Sequence, residues 1–304
     1  SVVPIQPTTA DSLVATLSGD STIHNLAFNA NNTRLFSADD TGVITAWDIV
    51  SKQPIQQIKN SDSLTSFTLS STHLASGDEY ANVNLWNLNT GKLIYTLREH
   101  QLPILSLIFS PDCKTLFTAS EDKKLIRWQL ELAEPKPHIT EVPSPITAMA
   151  ISLDGQYLVT GSTDFTLKVW NAHNGDLVNT LIGHSGAIQS IAISSNGAVI
   201  VSGSADQTIK VWNLYTGELI NTLTGQYGAI NAIDFSPNGQ IFASGSEDGT
   251  IWLWDLYSGE IIQKLSTYQG SISDVDISSD GQLLASSTTT GNINLWKISK
   301  TLSP

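Results

Sequence analysis

Six histidines, one cysteine and a recurring set of turn aspartates are the side chains of this 304-residue chain whose types suit chemistry. The histidines (His24, His73, His100, His138, His173 and His184) show no metal-ligand spacing. There is no Gly-x-Ser-x-Gly, no Walker loop and no His-Glu-x-x-His, so neither a nucleophile elbow nor a zinc helix is spelled out. Cys113, in the turn Ser110-Pro111-Asp112-Cys113, has no activating neighbour and reads as a bystander. The aspartates fall in short polar turns, where Asp first serves to fold the backbone. No metal and no cofactor are expected.

The elements that hold these residues repeat. Trp47, Trp86, Trp128, Trp170, Trp212, Trp254 and Trp296 are separated by 39 residues once and then by 42 five times. Each copy opens with an alternating run such as Ile188 to Ile193, the pattern of a half-buried strand. A turn such as Ser194-Ser195-Asn196-Gly197 follows, then a second strand, an Asp-bearing turn and a third strand ending on the tryptophan. Asn213-Leu214-Tyr215-Thr216-Gly217 leads into a fourth strand, Glu218 to Leu223. No segment has a helical period. A period near 40 with four short strands predicts an all-β chain, a seven-bladed β-propeller of antiparallel four-stranded blades.

Residues 1–11 read as a linker or flexible tail, 12–299 as one propeller and 300–304 as a C-terminal tail. Leu13-Val14-Ala15-Thr16-Leu17 matches the fourth strand Leu177-Val178-Asn179-Thr180-Leu181, whereas the seventh copy stops after its third strand. The N-terminal strand is therefore expected to complete the last blade, leaving no unpaired blade. The segment Leu130 to His138 carries Pro135 and Pro137, which suits an outer edge strand. Trp252, two residues before Trp254, is expected to pack rather than face solvent.

The formal net charge is −13, from 28 acids and 15 bases. That disfavours nucleic acid and anionic membrane, and favours a cationic partner. No run of 18 apolar residues exists, so no membrane insertion is expected. A single cysteine allows no intrachain disulfide, and a cytoplasmic monomer is the favoured setting.

The chain resembles the WD-repeat (WD-40 type) β-propellers over about residues 12–299. The carrying motifs are Gly183-His184, Ser202-Gly203-Ser204-Ala205-Asp206 and Trp212-Asn213, with Trp-Asp pairs at Trp47-Asp48 and Trp254-Asp255. The resemblance implies a structural tetrad in which a loop His, a strand hydroxyl, a turn Asp and the Trp indole are chained by hydrogen bonds. It maps onto His184, Ser202, Asp206 and Trp212, and onto His100, Thr118, Asp122 and Trp128. The other copies are incomplete. Asp20, Val142, Gln226 and Tyr268 stand at the His position, and Thr41, Tyr80 and Thr290 at the Asp position. Blades one, two and seven are expected to be the least rigid.

In the family, partners dock over the central channel, on the face bearing the fourth-to-first and second-to-third strand loops. Matching positions nearest the channel are His24, Thr65, Leu105, Thr147, Gln189, Asn231 and Ser273. Those on the rim include Asp40, Glu79, Glu121, Thr163 and Glu247. The expectation is a small, polar centre with an acidic rim and no dense set of large aromatics. The chain then reads as a non-catalytic scaffold that receives a Lys- or Arg-bearing peptide or loop. Two alternatives are a rigid domain of a larger multidomain protein and an enzyme with a site over the channel. A cluster of strongly shifted acids in the channel would favour the enzyme.

Overall fold

The computed structural model describes residues 12–298 apart from residues 20, 61, 132, 133, 267 and 268. The expected linker and C-terminal tail, and Asp20 and Tyr268, lie outside the described residues. The rest forms twenty-eight strands in seven antiparallel four-stranded sheets and no helix. This is the seven-bladed ring that the tryptophan period predicts. Leu13–Ser18 pairs with Asn292–Lys297, so the N-terminal strand supplies the outer strand of blade seven. Blades one to six take their four strands in chain order.

Local chemistry sets the turns. Ser194 Oγ donates to Asn196 Oδ1 at 2.7 Å and accepts from Val199 N at 3.1 Å, closing the first hairpin of blade five. Asn213 Oδ1 accepts the N–H groups of Tyr215 and Thr216, and Gly217 then takes a positive φ of 74°. Pro137 lies on the outer strand Lys136–Glu141 opposite Trp128, where no further strand needs its missing N–H.

Seven hydrophobic clusters make up the core, and each joins two neighbouring blades. One packs Val159, Leu167 and Val169 of blade four against Ile188, Ile191 and Ile200 of blade five. Another packs Ala285, Ile293 and Leu295 of blade seven against Ile23, Leu26 and Leu35 of blade one, closing the circle. The seams are tight where glycine occurs. A Cβ on Gly203 would lie 2.6 Å from Ile230 Cγ2 of the next blade. The first apolar residue of each of these inner strands therefore seats in the neighbour's backbone. Trp252 is 7% exposed, lies tilted against Trp254 with ring centroids 5.4 Å apart and carries Lys264 Nζ 3.9 Å from its ring centroid, so it packs as expected.

Candidate interaction face

Every blade shares one lock. The seven tryptophan indoles each donate to a second-strand hydroxyl ten residues earlier: Ser37, Ser76, Thr118, Thr160, Ser202, Ser244 and Ser286. In blade five the chain of bonds continues. Ser202 Oγ meets His184 Nε2 at 2.8 Å, and His184 Nδ1 meets Asp206 Oδ2 at 2.8 Å. The ionised Asp206 carboxylate can only accept, so the imidazole proton sits on Nδ1, facing it, and Nε2 of the neutral ring accepts the Ser202 hydroxyl proton. Burial lowers the His184 pKa against the pull of Asp206, so the ring is neutral. Burial also opposes ionisation of Asp206. Bonds from Thr208, Ser185 N–H and His184 outweigh it, and the carboxyl falls to about 2. His100, Thr118, Asp122 and Trp128 repeat the arrangement in blade three, with His100 Nε2 2.8 Å from Thr118 Oγ1.

The incomplete copies find substitutes. In blade six Gln226 replaces histidine, accepting from Ser244 Oγ and donating to Thr250. Val142 fills the same place in blade four by packing in the core, and Asp164 turns to Lys168 at 3.6 Å. In blade two the Tyr80 side chain is exposed and does not replace the missing carboxylate. There the buried Asp78, two residues earlier, accepts from Tyr80 N–H, Asn82 N–H and Asn60, and Asn60 accepts from Asn84. Blade two is therefore not the open gap that its missing His and Asp imply.

Both faces of the ring carry more acids than bases, and one carries the larger excess. The fourth-to-first and second-to-third loops, with their flanking strand ends, all open on one face. Thirteen described carboxylates lie there: Asp39, Asp40, Asp62, Asp78, Glu79, Glu99, Glu121, Asp122, Glu141, Asp164, Asp206, Glu247 and Asp248. The same positions hold four lysines and arginines, Lys59, Arg98, Lys123 and Lys124. Asp40, Glu79, Glu121, Thr163 and Glu247 are all exposed on the rim.

The inner positions divide. Gln189 is exposed, and His24 and Leu105 are half-buried. Thr65, Thr147, Asn231 and Ser273 spend their polar atoms on backbone carbonyls. Three of these bonds cross a seam: Thr147 to Ile188 O, Asn231 to Ile272 O at 2.9 Å, and Ser273 to Ile23 O at 2.6 Å. Three exposed aromatics, absent from the positions picked by register, stand on this face. Tyr80 and Phe165 occupy second-to-third turns and Tyr227 a fourth-to-first loop. They are spread over blades two, four and six, so the expectation of no dense aromatic set needs amending to a dispersed one.

Deeper in the channel, the seven inner strands hold only four titratable groups: His24, Asp234, Asp274 and Asp276. Each carboxylate accepts a backbone N–H from the next blade. Asp234 takes Ile277 N at 2.7 Å, Asp274 takes Leu26 N at 2.8 Å and Asp276 takes Phe28 N at 2.6 Å. Burial pushes Asp274 up to about 7, only partly offset by those N–H bonds. Burial likewise raises Asp234 and Asp276, and each is disfavoured further by neighbouring aspartate charge. The alternating strand pattern alone does not mark them, because polar residues at every second position are ordinary in a half-buried strand. Among the described residues, no group of three or more His, Cys, Asp or Glu has the arrangement of a metal site.

The fold and the repeated Trp–hydroxyl lock define a WD-repeat propeller. The model of the WD domain, G-beta repeat family matches residues 11–48, 91–129, 135–171, 175–213, 217–255 and 259–297, and the chain belongs to that family. The unmatched interval 49–90 holds most of blade two, where Asp78, Asn60 and Asn84 rewrite the network. Among similar proteins, the pre-rRNA-processing protein crb3/ipi3 of Schizosaccharomyces pombe is 46% identical over 55 residues, 18% of this chain and 12% of its own. Transducin beta-like protein 3 of Rattus norvegicus is 34% identical over 117 residues, 37% of this chain and 15% of its own. Apoptotic protease-activating factor 1 of the same organism is 25% identical over 114 residues, 37% of this chain and 9% of its own. The matched segments thus span only a small part of each relative.

Proposed function

We propose that this propeller is a monomeric, non-catalytic interaction scaffold that receives a Lys- or Arg-bearing peptide or loop of a partner protein on the face over its channel. The observation that carries the reading is the excess of acids over lysines and arginines on that face, thirteen against four, where the described residues of the opposite face hold ten against six. Rim charges there steer and orient an approaching cation more than they add net affinity. Family membership supports the scaffold reading. The names of the relatives point to no common process and to no partner.

Affinity capture from native extract tests the proposal, with the intact protein beside a folded variant carrying Asp40→Lys, Glu79→Lys, Glu121→Lys and Glu247→Lys. A protein retained by the first and lost by the second is the expected result. A protein retained equally by both moves the site off this face.

A second reading, a recognition domain of a longer protein, is favoured by the small share of each relative that the match covers. The channel carboxylates are the feature that favours a catalytic site. Each already accepts a backbone N–H, and among the described residues no hydroxyl or thiol is hydrogen-bonded to them. Their role in joining blades accounts for their position without catalysis.

A further inference from the structure

The interaction face is not uniform. Seven turn residues in one register, Gly42, Ala81, Lys123, Phe165, Gln207, Gly249 and Gly291, all take a positive φ between 62° and 87°. Glycine fills three of them at no steric cost. Phe165 fills the fourth at 72°, a conformation that a bulky side chain adopts only against a steric penalty. Its ring is 43% exposed and belongs to none of the seven core clusters. Ala81, Lys123 and Gln207 take the same conformation, so it belongs to the turn; what sets Phe165 apart is a large, half-exposed apolar ring at a position held elsewhere by glycine or by small or polar residues.

Phe165 has apolar company. Leu167 pairs with Leu181, so Ile182, 77% exposed, leaves the outer strand at the same end of blade four as the Phe165 turn. Leu102, 47% exposed, tops blade three, and Pro103, Leu105 and Pro145 line the channel side of the same two blades. The corresponding inner positions of blades one, two, six and seven are Thr22, His24, Ser63, Thr65, Ala229, Asn231, Ser271 and Ser273. Blade four carries Thr163 where blades one, two, three and six carry rim acids. The face therefore gathers exposed aliphatic residues and Phe165 over blades three and four, with Glu121 and Lys123 still on the blade-three rim, and its paired rim acids Asp40 and Glu79 over blades one and two, beside Tyr80.

We infer that this face takes a segment with a large apolar residue flanked by lysine or arginine, the apolar side chain seating over blades three and four and the cations reaching the acids of blades one and two. Exposed apolar area of this kind marks a contact surface, and a large apolar anchor supplies most of the energy of such contacts. A second copy of this chain does not suit the surface, because it would set one acidic rim against another. The inference rests on the basic-partner reading and specifies its ligand.

A display library of random linear peptides, panned on three proteins, separates the two claims. The proteins are the intact chain, Phe165→Ser with Ile182→Ser, and Asp40→Lys with Glu79→Lys. All substituted side chains are exposed, and each variant is first checked for an unchanged melt. Intact protein is expected to enrich peptides pairing Lys or Arg with an aromatic or aliphatic residue, with affinity at least about tenfold weaker on either variant. Basic peptides without an apolar anchor, indifferent to the Phe165 and Ile182 changes, would overturn the inference and leave the basic-partner reading standing. Enriched peptides lacking basic residues, or no enrichment at all, would overturn both.

Discussion

The backbone N–H of Phe28 donates to the Asp276 carboxylate at 2.6 Å, joining blade one to blade seven through residues 248 positions apart. Asp274 makes the matching bond to Leu26, and Ser273 reaches Ile23 O. The seam where the chain must find its own beginning is thus tied along the channel wall as well as at the outer strand. A carboxylate is a stronger acceptor than a carbonyl, but three of them in a channel without a lysine or arginine resist full ionisation.

Stability should therefore fall as pH rises through neutrality. Asp274, Asp234 and Asp276 have folded-state pKa values raised above those of the unfolded chain. Their contribution is fully present below about pH 4; that of Asp234 and Asp274 is lost as pH climbs through about 7, and that of Asp276 is lost in the same direction as its raised carboxyl ionises. Asp206 works in the opposite sense. Lowered to about 2, it stabilises above its unfolded value, and that contribution is lost between about pH 4 and 2. Asp276→Asn keeps an acceptor for Phe28 and removes a charge. It should raise stability at pH 8 by roughly 1–3 kcal/mol and flatten the slope from pH 5 to 8. Urea midpoints across that range check this; an unchanged slope would show that the trio is not its source.

Removing residues 1–18 should lower the melting temperature sharply. It strips the partner from Asn292–Lys297 and deletes Leu17 from the cluster that closes the ring. A melt within error of the intact protein would mean that the last blade needs no fourth strand.

His184→Ala should cost roughly 1–3 kcal/mol, because it leaves Ser202 and Asp206 without their shared buried partner. His184→Gln should recover part of this. Blade six already uses Gln226 at that place, bonded to Ser244 and Thr250. Denaturant melts of the two variants decide it, and equal losses would show that the glutamine solution does not transfer between blades.

Gly203→Val should destabilise by roughly 1–3 kcal/mol through overpacking, since even a Cβ there meets Ile230 Cγ2 at 2.6 Å. Pairing it with Ile230→Ala should restore part of the loss. A double-mutant cycle with no coupling would show that the seam yields in some other way.

The tryptophan period, the turn residues and the orphan first strand were enough to specify blade number, strand order and ring closure. These depend on local pattern repeated in register, and hydrogen bonding leaves an edge strand few places to go. The tetrads of blades three and five were legible for the same reason, as four residue types at constant offsets. Asp78 was not, because it reaches the blade-two network from two residues earlier, and only side-chain geometry shows that the carboxylate still arrives.

The channel and the face were decided by tertiary structure. Asp234, Asp274 and Asp276 look like ordinary polar positions on alternating strands, and only the closed ring sets them around one channel and raises their pKa values. Thr147, Asn231 and Ser273 look free to meet a partner until the neighbouring blade arrives to take their hydrogen bonds. Phe165 and Ile182 lie 17 residues apart in sequence and come to the same end of blade four because Leu167 pairs with Leu181. Sequence carries the period of a blade, which is local. How side chains from adjacent blades meet depends on the ring, where strands that repeat every 42 residues along the chain are brought side by side.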